Sequence, residues 1–275
     1  PRCRMGGQHM YMDKQVKRGY NEYLRLEEGY GKKAMMDVGL LVMEAGDTIS
    51  LREDRKEMAA LVFDGRCTLE WEGQARDVDR PNPLDYNPSC LHVCKGVEVR
   101  ITAHGACHIY IQKTENDTVF PCRMYGPEDT DTWPRGDQGE LMGCTKRDVR
   151  TCFDLDNAPY SNMVLGEVVN LPGKWSSYPP HWHPQPEVYL YYFDKPQGFG
   201  AGWVDGEVHE LHHHGLSIIT RGTHAQVMAP GYPCCYIWGI RHLPDEPWEK
   251  TRIDDPVHTW LTEPDAVFWD GENSN

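Results

Sequence analysis

Positive charge is in short supply in this chain: 28 Lys and Arg face 42 Asp and Glu, for a net charge of -14. A nucleic-acid groove or a contact with an anionic membrane needs a positive field, so neither is an expected partner and a small molecule is favoured. If that molecule is itself an anion, its site must supply local positive charge, from a metal or from placed Arg and Lys. Long apolar runs are missing too. Nowhere do about 18 apolar residues follow one another, as a membrane-spanning helix requires. The first residues lack the basic, apolar and small-residue succession of a secretory signal. The ten cysteines include no CxxC pair and lack the regular spacing of a disulfide-stapled scaffold. They are read as reduced thiols, with Cys234 and Cys235 in the core. A soluble, cytoplasmic protein is expected.

Helical periodicity is weak throughout. In its place come short stretches rich in Val, Ile, Tyr and Leu, broken by Gly, Pro, Asn and Asp: residues 39–43, 59–63, 97–102, 108–112, 163–170, 188–193 and 235–239. That pattern predicts an all-β sandwich or barrel. With 275 residues, 39% of them hydrophobic, there is length and apolar volume for two domains of middling size. Residues 1–20 read as an arm or short helix. Residues 115–146, rich in Asp, Gly, Pro and Thr, read as a linker between a first barrel at 21–114 and a second at 147–275.

The two halves share a frame. Gly46 is followed by Arg52, Asp54, Glu57, a strand and Gly65; Gly173 is followed by His181, His183, Glu187, a strand and Gly198. The frames correspond but the side chains do not, so an internal duplication with a metal-bearing second barrel and a purely structural first one is expected.

The chemistry concentrates in Ser177-Tyr-Pro-Pro-His181-Trp-His183-Pro-Gln-Pro-Glu187-Val-Tyr189-Leu-Tyr191. In an extended segment His181 and His183 lie on one face and both imidazoles can reach one ion. Glu187 opens a strand on which Tyr189 and Tyr191 share its face. Arg221-Gly-Thr-His224 supplies a fourth ligand after a glycine turn. Three His and one carboxylate suit a divalent transition metal, Zn foremost with Mn, Fe and Ni compatible, and leave positions open for substrate oxygens. Glu187, Tyr189 and Tyr191 are the candidate catalytic side chains, and Gln197, Arg221 and Gln226 the candidate substrate contacts. The run His212-His213-His214 competes as a metal binder. Neighbouring strand residues point to opposite faces, however, and solvated turn residues are the expectation there.

At these positions the sequence resembles the KduI/IolB family of bicupin isomerases, and within it the 5-deoxy-glucuronate isomerase branch of inositol catabolism. The matching text is Gly173-Lys-Trp-Ser-Ser-Tyr-Pro-Pro-His181, Glu187-Val-Tyr, Pro196-Gln-Gly-Phe-Gly200, Arg221-Gly-Thr-His224, Ala229-Pro-Gly-Tyr232 and Asp254-Asp-Pro-Val-His258-Thr-Trp260. The likeness is stronger in the second half. The resemblance implies two cupin-type (jelly-roll) β-barrels in tandem, aldose–ketose interconversion on a deoxy-uronate, and a metal on His181, His183, Glu187 and His224. Competing readings are a pectin-pathway ketol-isomerase acting on 4-deoxy-5-hexosulose-uronate, an iron-dependent cupin dioxygenase using the same ligands, and a non-catalytic sugar-binding cupin. Exposed strand edges and many aromatics make a homo-oligomer the expectation.

Overall fold

Between the glycine and proline breaks, β-branched and aromatic residues do form strands, and the architecture follows from which face of each strand is apolar. The computed structural model describes residues 9–269. In the first half, eight antiparallel strands make one sheet built around the long pair Lys56–Trp71 and Glu98–Glu115. Two register shifts, between Val62 and Asp64 and between Gly65 and Cys67, bend that pair. Gly65 is required at the bend: its φ is +94°, and a Cβ there would lie 2.2 Å from the Ala106 carbonyl oxygen.

The second half has two facing sheets. Glu187–Phe193 lies between Leu216–Ile219 and Cys234–Arg241 in a seven-stranded sheet that continues through Met163–Asn170, Arg147–Phe153 and Asp131–Arg135. Opposite it, Glu207–His212, Phe199–Val204, His224–Met228, Trp175–Trp182 and Ile253–Asp254 form a five-stranded sheet. Strand alternation then divides the apolar residues into three cores. Leu41, Ala60, Val62 and Ile109 fill the first half, and Tyr189, Tyr191, Tyr236 and Trp238 fill the space between the two sheets of the second. The opposite faces of the same strands bring Leu40, Leu61, Phe63 and Tyr110 against Val188, Leu190, Ile218 and Ile237. The two halves therefore share a core, and strands such as Met163–Asn170 and Cys234–Arg241 are buried along their whole length.

Most polar groups at this junction are paired. Glu167 Oε1 accepts hydrogen bonds from Arg80 Nη2 at 2.6 Å and from Arg150 Nη1 at 2.7 Å, with all three side chains buried. Other guanidinium donors hold the carbonyls of Val62, Pro83, Leu84 and Tyr86, while Arg150 Nε and Glu167 Oε2 have no partner. Glu57, the counterpart of Glu187 in the first-half frame, faces the junction and not a cavity. Its carboxylate lies 2.8 Å from His92 Nε2 and accepts from Ser161 Oγ at 2.9 Å and from the Asn162 N–H at 2.7 Å. Arg52 and Asp54, where the second half has its histidines, are exposed and pair with each other at 3.1 Å.

Three segments differ from the sequence reading. Residues 1–8 of the expected arm lie outside the described residues, but His9–Met12 is a strand paired with Leu216–Ile219 of the far half. Tyr11 is buried there, and its hydroxyl accepts the His212 N–H at 2.6 Å. Within the expected linker, Arg123–Tyr125 pairs with Ser89–Val93 and Asp131–Arg135 with Arg147–Phe153, one strand for each half. His214 is buried and His213 partly so, packed against His108 and Tyr192 at the junction and not solvated in a turn. The nine cysteines among the described residues are free, with Cys234 and Cys235 fully buried. No helix among the described residues is long and apolar enough to cross a membrane.

Candidate metal centre

Two sheets bring the four predicted ligands to one place. His181 lies directly across the ladder from His224, on Trp175–Trp182 and His224–Met228. His183 follows just past the end of the first of these strands, and Glu187 opens Glu187–Phe193 on the facing sheet. Ligand atoms of His181, His183 and His224 lie within 4.8 Å of one another, the one such group of three among the described residues. Glu187 Oε2 sits 3.2 Å from His183 Nε2 and 3.5 Å from His224 Nε2. All four side chains are buried.

The turn before His224 needs glycine. Gly222 has φ +116°, and a Cβ there would lie 2.6 Å from Asp205 Oδ2. The Gly222 carbonyl then lies 3.0 Å from His224 Nδ1, and the Ser177 carbonyl 3.3 Å from His181 Nδ1. A carbonyl only accepts, so each Nδ1 carries the proton and each Nε2 presents a lone pair. His224 Nε2 has no hydrogen-bond partner. A buried, unsatisfied imidazole nitrogen facing two more imidazoles and a carboxylate is the donor set a divalent transition metal takes, and the residues present fit such an ion.

The electrostatics favour the same charge states. Burial holds the His181 imidazole well below its ordinary pKa, and His224, Arg252 and His183 add repulsion. Burial pushes the Glu187 carboxyl up, but the neighbouring His183 and His224 side chains outweigh it and bring the value down to about 2. His181 is thus held neutral and Glu187 ionised. Because Glu187 is depressed from 4.5 to about 2, its contribution to folding is complete above the unfolded value and disappears as pH falls through that interval. In metal-free protein the stability gap between wild type and Glu187→Gln is therefore expected to be full at pH 6 and to close below pH 4.5. Urea unfolding at stepped pH measures it, and a gap that stays constant down to pH 3 would contradict this charge state.

Tyr189 donates to Glu187 Oε2 at 2.7 Å and fixes the carboxylate from behind. Burial, with Glu187 next to it, raises the Tyr189 phenol well above its ordinary value. It keeps its proton and is a donor, not a base. Tyr191 and Gln226 are buried away from the cavity, where the Tyr191 hydroxyl donates to Gln226 Oε1 at 2.7 Å. Gln197 and Arg221 are exposed and do not line the cavity. The structure therefore brings together the ligand set and Tyr189, and leaves Gln197, Arg221 and Gln226 outside the space in front of them.

That space is a cavity of about 1030 Å³, floored by His181, His183, Glu187 and Tyr189 and walled by Tyr236 and Trp238. Sequence reasoning missed its other wall. Arg135, Arg147 and Arg252 line it from three separate segments, and no local spacing links them.

The model of the KduI/IolB family matches residues 10–261. The 5-deoxy-glucuronate isomerase of Bacillus velezensis is 25% identical over 217 residues, covering 74% of this chain and 76% of the relative. That of Halalkalibacterium halodurans is 23% identical over 245 residues, covering 81% and 86%. Among solved structures, an IolB-like protein of Salmonella typhimurium LT2 superposes with a TM-score of 0.83 at 17% identity, covering 92% of this chain and 99% of that one, a likeness of fold. With nearly its whole length matched and the four predicted ligands brought together, the chain belongs to the KduI/IolB family.

Proposed function

We propose that the protein is a metal-dependent isomerase interconverting the aldose and ketose forms of a deoxy-uronate, with 5-deoxy-glucuronate the first candidate substrate. The observation that carries the reading is the convergence of His181, His183, His224 and Glu187, three of which, His181, His183 and Glu187, floor one large cavity. The names of the two bacterial relatives support the reaction. A divalent ion held there, Zn first with Mn, Fe or Ni also suited, supplies Lewis-acid polarisation of a sugar carbonyl.

The chain's own residues do the rest. Tyr189 holds Glu187 in place through its O–H, and His181 and His224 keep their Nδ1 protons, donated to the carbonyls of Ser177 and Gly222. Tyr236 and Trp238 give the sugar an aromatic wall and keep water off one side. The Tyr236 hydroxyl is held by Ser176 Oγ at 2.5 Å.

The test is incubation of metal-loaded protein with 5-deoxy-glucuronate and with 4-deoxy-5-hexosulose-uronate, following the interconverted product by NMR in deuterated water. A ketose carrying solvent deuterium is the expected result with the first. No product from either substrate would sink the isomerase reading. Oxygen uptake by the iron-loaded protein would replace it with a dioxygenase.

A further inference from the structure

We propose that Arg147, with Arg135 and Arg252 beside it, forms an anion subsite that receives the carboxylate of a sugar acid whose other end reaches His181, His183 and Glu187. The inference rests on the sugar-acid reading above and assigns the residues that recognise the acid.

Arg135 and Arg147 are directly opposite each other on the antiparallel strands Asp131–Arg135 and Arg147–Phe153, and both side chains line the cavity. Like charges directly across a ladder repel and destabilise the pairing. A nearby carboxylate is the usual remedy, and this chain has 42 acidic residues against 28 basic ones. Yet among the described residues no carboxylate forms an ion pair with Arg135 or Arg147, although many other arginines of the chain have one. Two acids on the same wall are engaged elsewhere: Asp131 accepts from Trp133 Nε1 at 2.6 Å, and Glu140 from the Gln138 N–H at 2.9 Å.

Arg147 is the deeper of the two, half-buried where Arg135 is exposed. Among the described residues its hydrogen bonding is limited to Nη1 on the Thr145 carbonyl at 2.7 Å, so most of a five-donor fork is left for a ligand. Arg252 completes the group at the rim. Its Nε is held by Asp254 Oδ1 at 2.7 Å and its Nη2 by the Pro179 carbonyl at 2.6 Å. The strand that follows it pairs with His181. Burial pushes the Arg147 guanidinium below its ordinary value, and although Tyr236 opposes this, Arg252 and Arg135 add to it. One bound carboxylate would relieve both repulsions, and the planar fork matches it in two parallel hydrogen bonds.

Trp133, Trp238 and Trp248 also line the cavity, so tryptophan fluorescence of the metal-loaded protein can follow binding without turnover. The titration compares D-glucuronate with D-glucuronamide, which has the same shape but no charge. Wild type is expected to bind the acid about 10- to 100-fold more tightly than the amide, the size of a hydrogen-bonded charge pair. Arg147→Gln should remove most of that preference and leave amide binding unchanged. Arg147→Lys should retain part of it, and Arg135→Gln, at an exposed position, should lose part without touching the core. The subsite is refuted if wild type shows no preference. It is equally refuted if the Arg135→Gln/Arg147→Gln double variant keeps the full preference at an unchanged melting temperature. A protein that converts no uronate but loses its acid preference in Arg147→Gln would refute the isomerase and keep the subsite. One that isomerises with undiminished preference in that variant would do the reverse.

Discussion

Replacing His224 with alanine is expected to lower metal affinity by more than about 100-fold, since outer-shell partners of a metal ligand alone are worth about 10- to 100-fold. His224 is buried, its Nδ1 is committed to the Gly222 carbonyl and its Nε2 has no other partner, so nothing nearby replaces it as a donor. His181→Ala should behave alike, because the two rings face each other across the ladder at 4.4 Å. His212→Ala is the matched control, since that residue lies in Glu207–His212, away from the ligand group, and should keep its metal. Elemental analysis after dialysis against chelator, with isomerase activity measured in parallel, reads both effects. Full metal content in His224→Ala and His181→Ala together would place the ion elsewhere.

Glu167→Gln is expected to cost about 3–5 kcal/mol of stability, the usual penalty for removing one partner of a buried ionic group. Glu167 is fully buried, and its Oε1 is the shared acceptor for Arg80 and Arg150, which are 2% and 5% exposed. Without the carboxylate, two guanidinium groups stay buried at the junction with a net charge and only carbonyls around them. The loss should appear in urea unfolding with both halves affected, because Arg80 belongs to the first half and Arg150 and Glu167 to the second. Replacing all three by apolar residues of similar volume should recover most of it, since the desolvation penalty disappears with the ions. A Glu167→Gln protein within about 1 kcal/mol of wild type would mean that solvent reaches the triad.

Much of the candidate metal centre was legible in the sequence because its determinants are local. His181 and His183 follow from strand alternation, Glu187 and Tyr189 from the same rule on the next strand, and His224 from a glycine turn whose φ only glycine adopts without strain. The all-β class followed from alternation and punctuation. What stayed hidden depends on which strand lies beside which. His9–Met12 is too short to show a pattern, and its partner lies some two hundred residues away. All five residues of Asp131–Arg135 are exposed, so the strand has no apolar face to announce it. Arg135, Arg147 and Arg252 meet only after three segments are assembled. Gln197 and Arg221 pointed elsewhere because nearness in sequence to a ligand does not fix the side of the strand, or of the turn, on which a side chain emerges.

The strand His9–Met12 also bears on the order in which the molecule can be completed. Leu216–Ile219, its partner, is the immediate neighbour of Glu187–Phe193, so the sheet that carries Glu187 is finished by residues from the other extremity of the described chain. On a ribosome those early residues leave the exit tunnel long before their partner is made, and the first half must keep them available until the second has been synthesised. A second half expressed from residue 147 onward would present Leu216–Ile219 as a bare apolar edge, open to pairing with its own copies. The floor of the cavity is thus a late product of the polypeptide, completed by a contact between strands some two hundred residues apart.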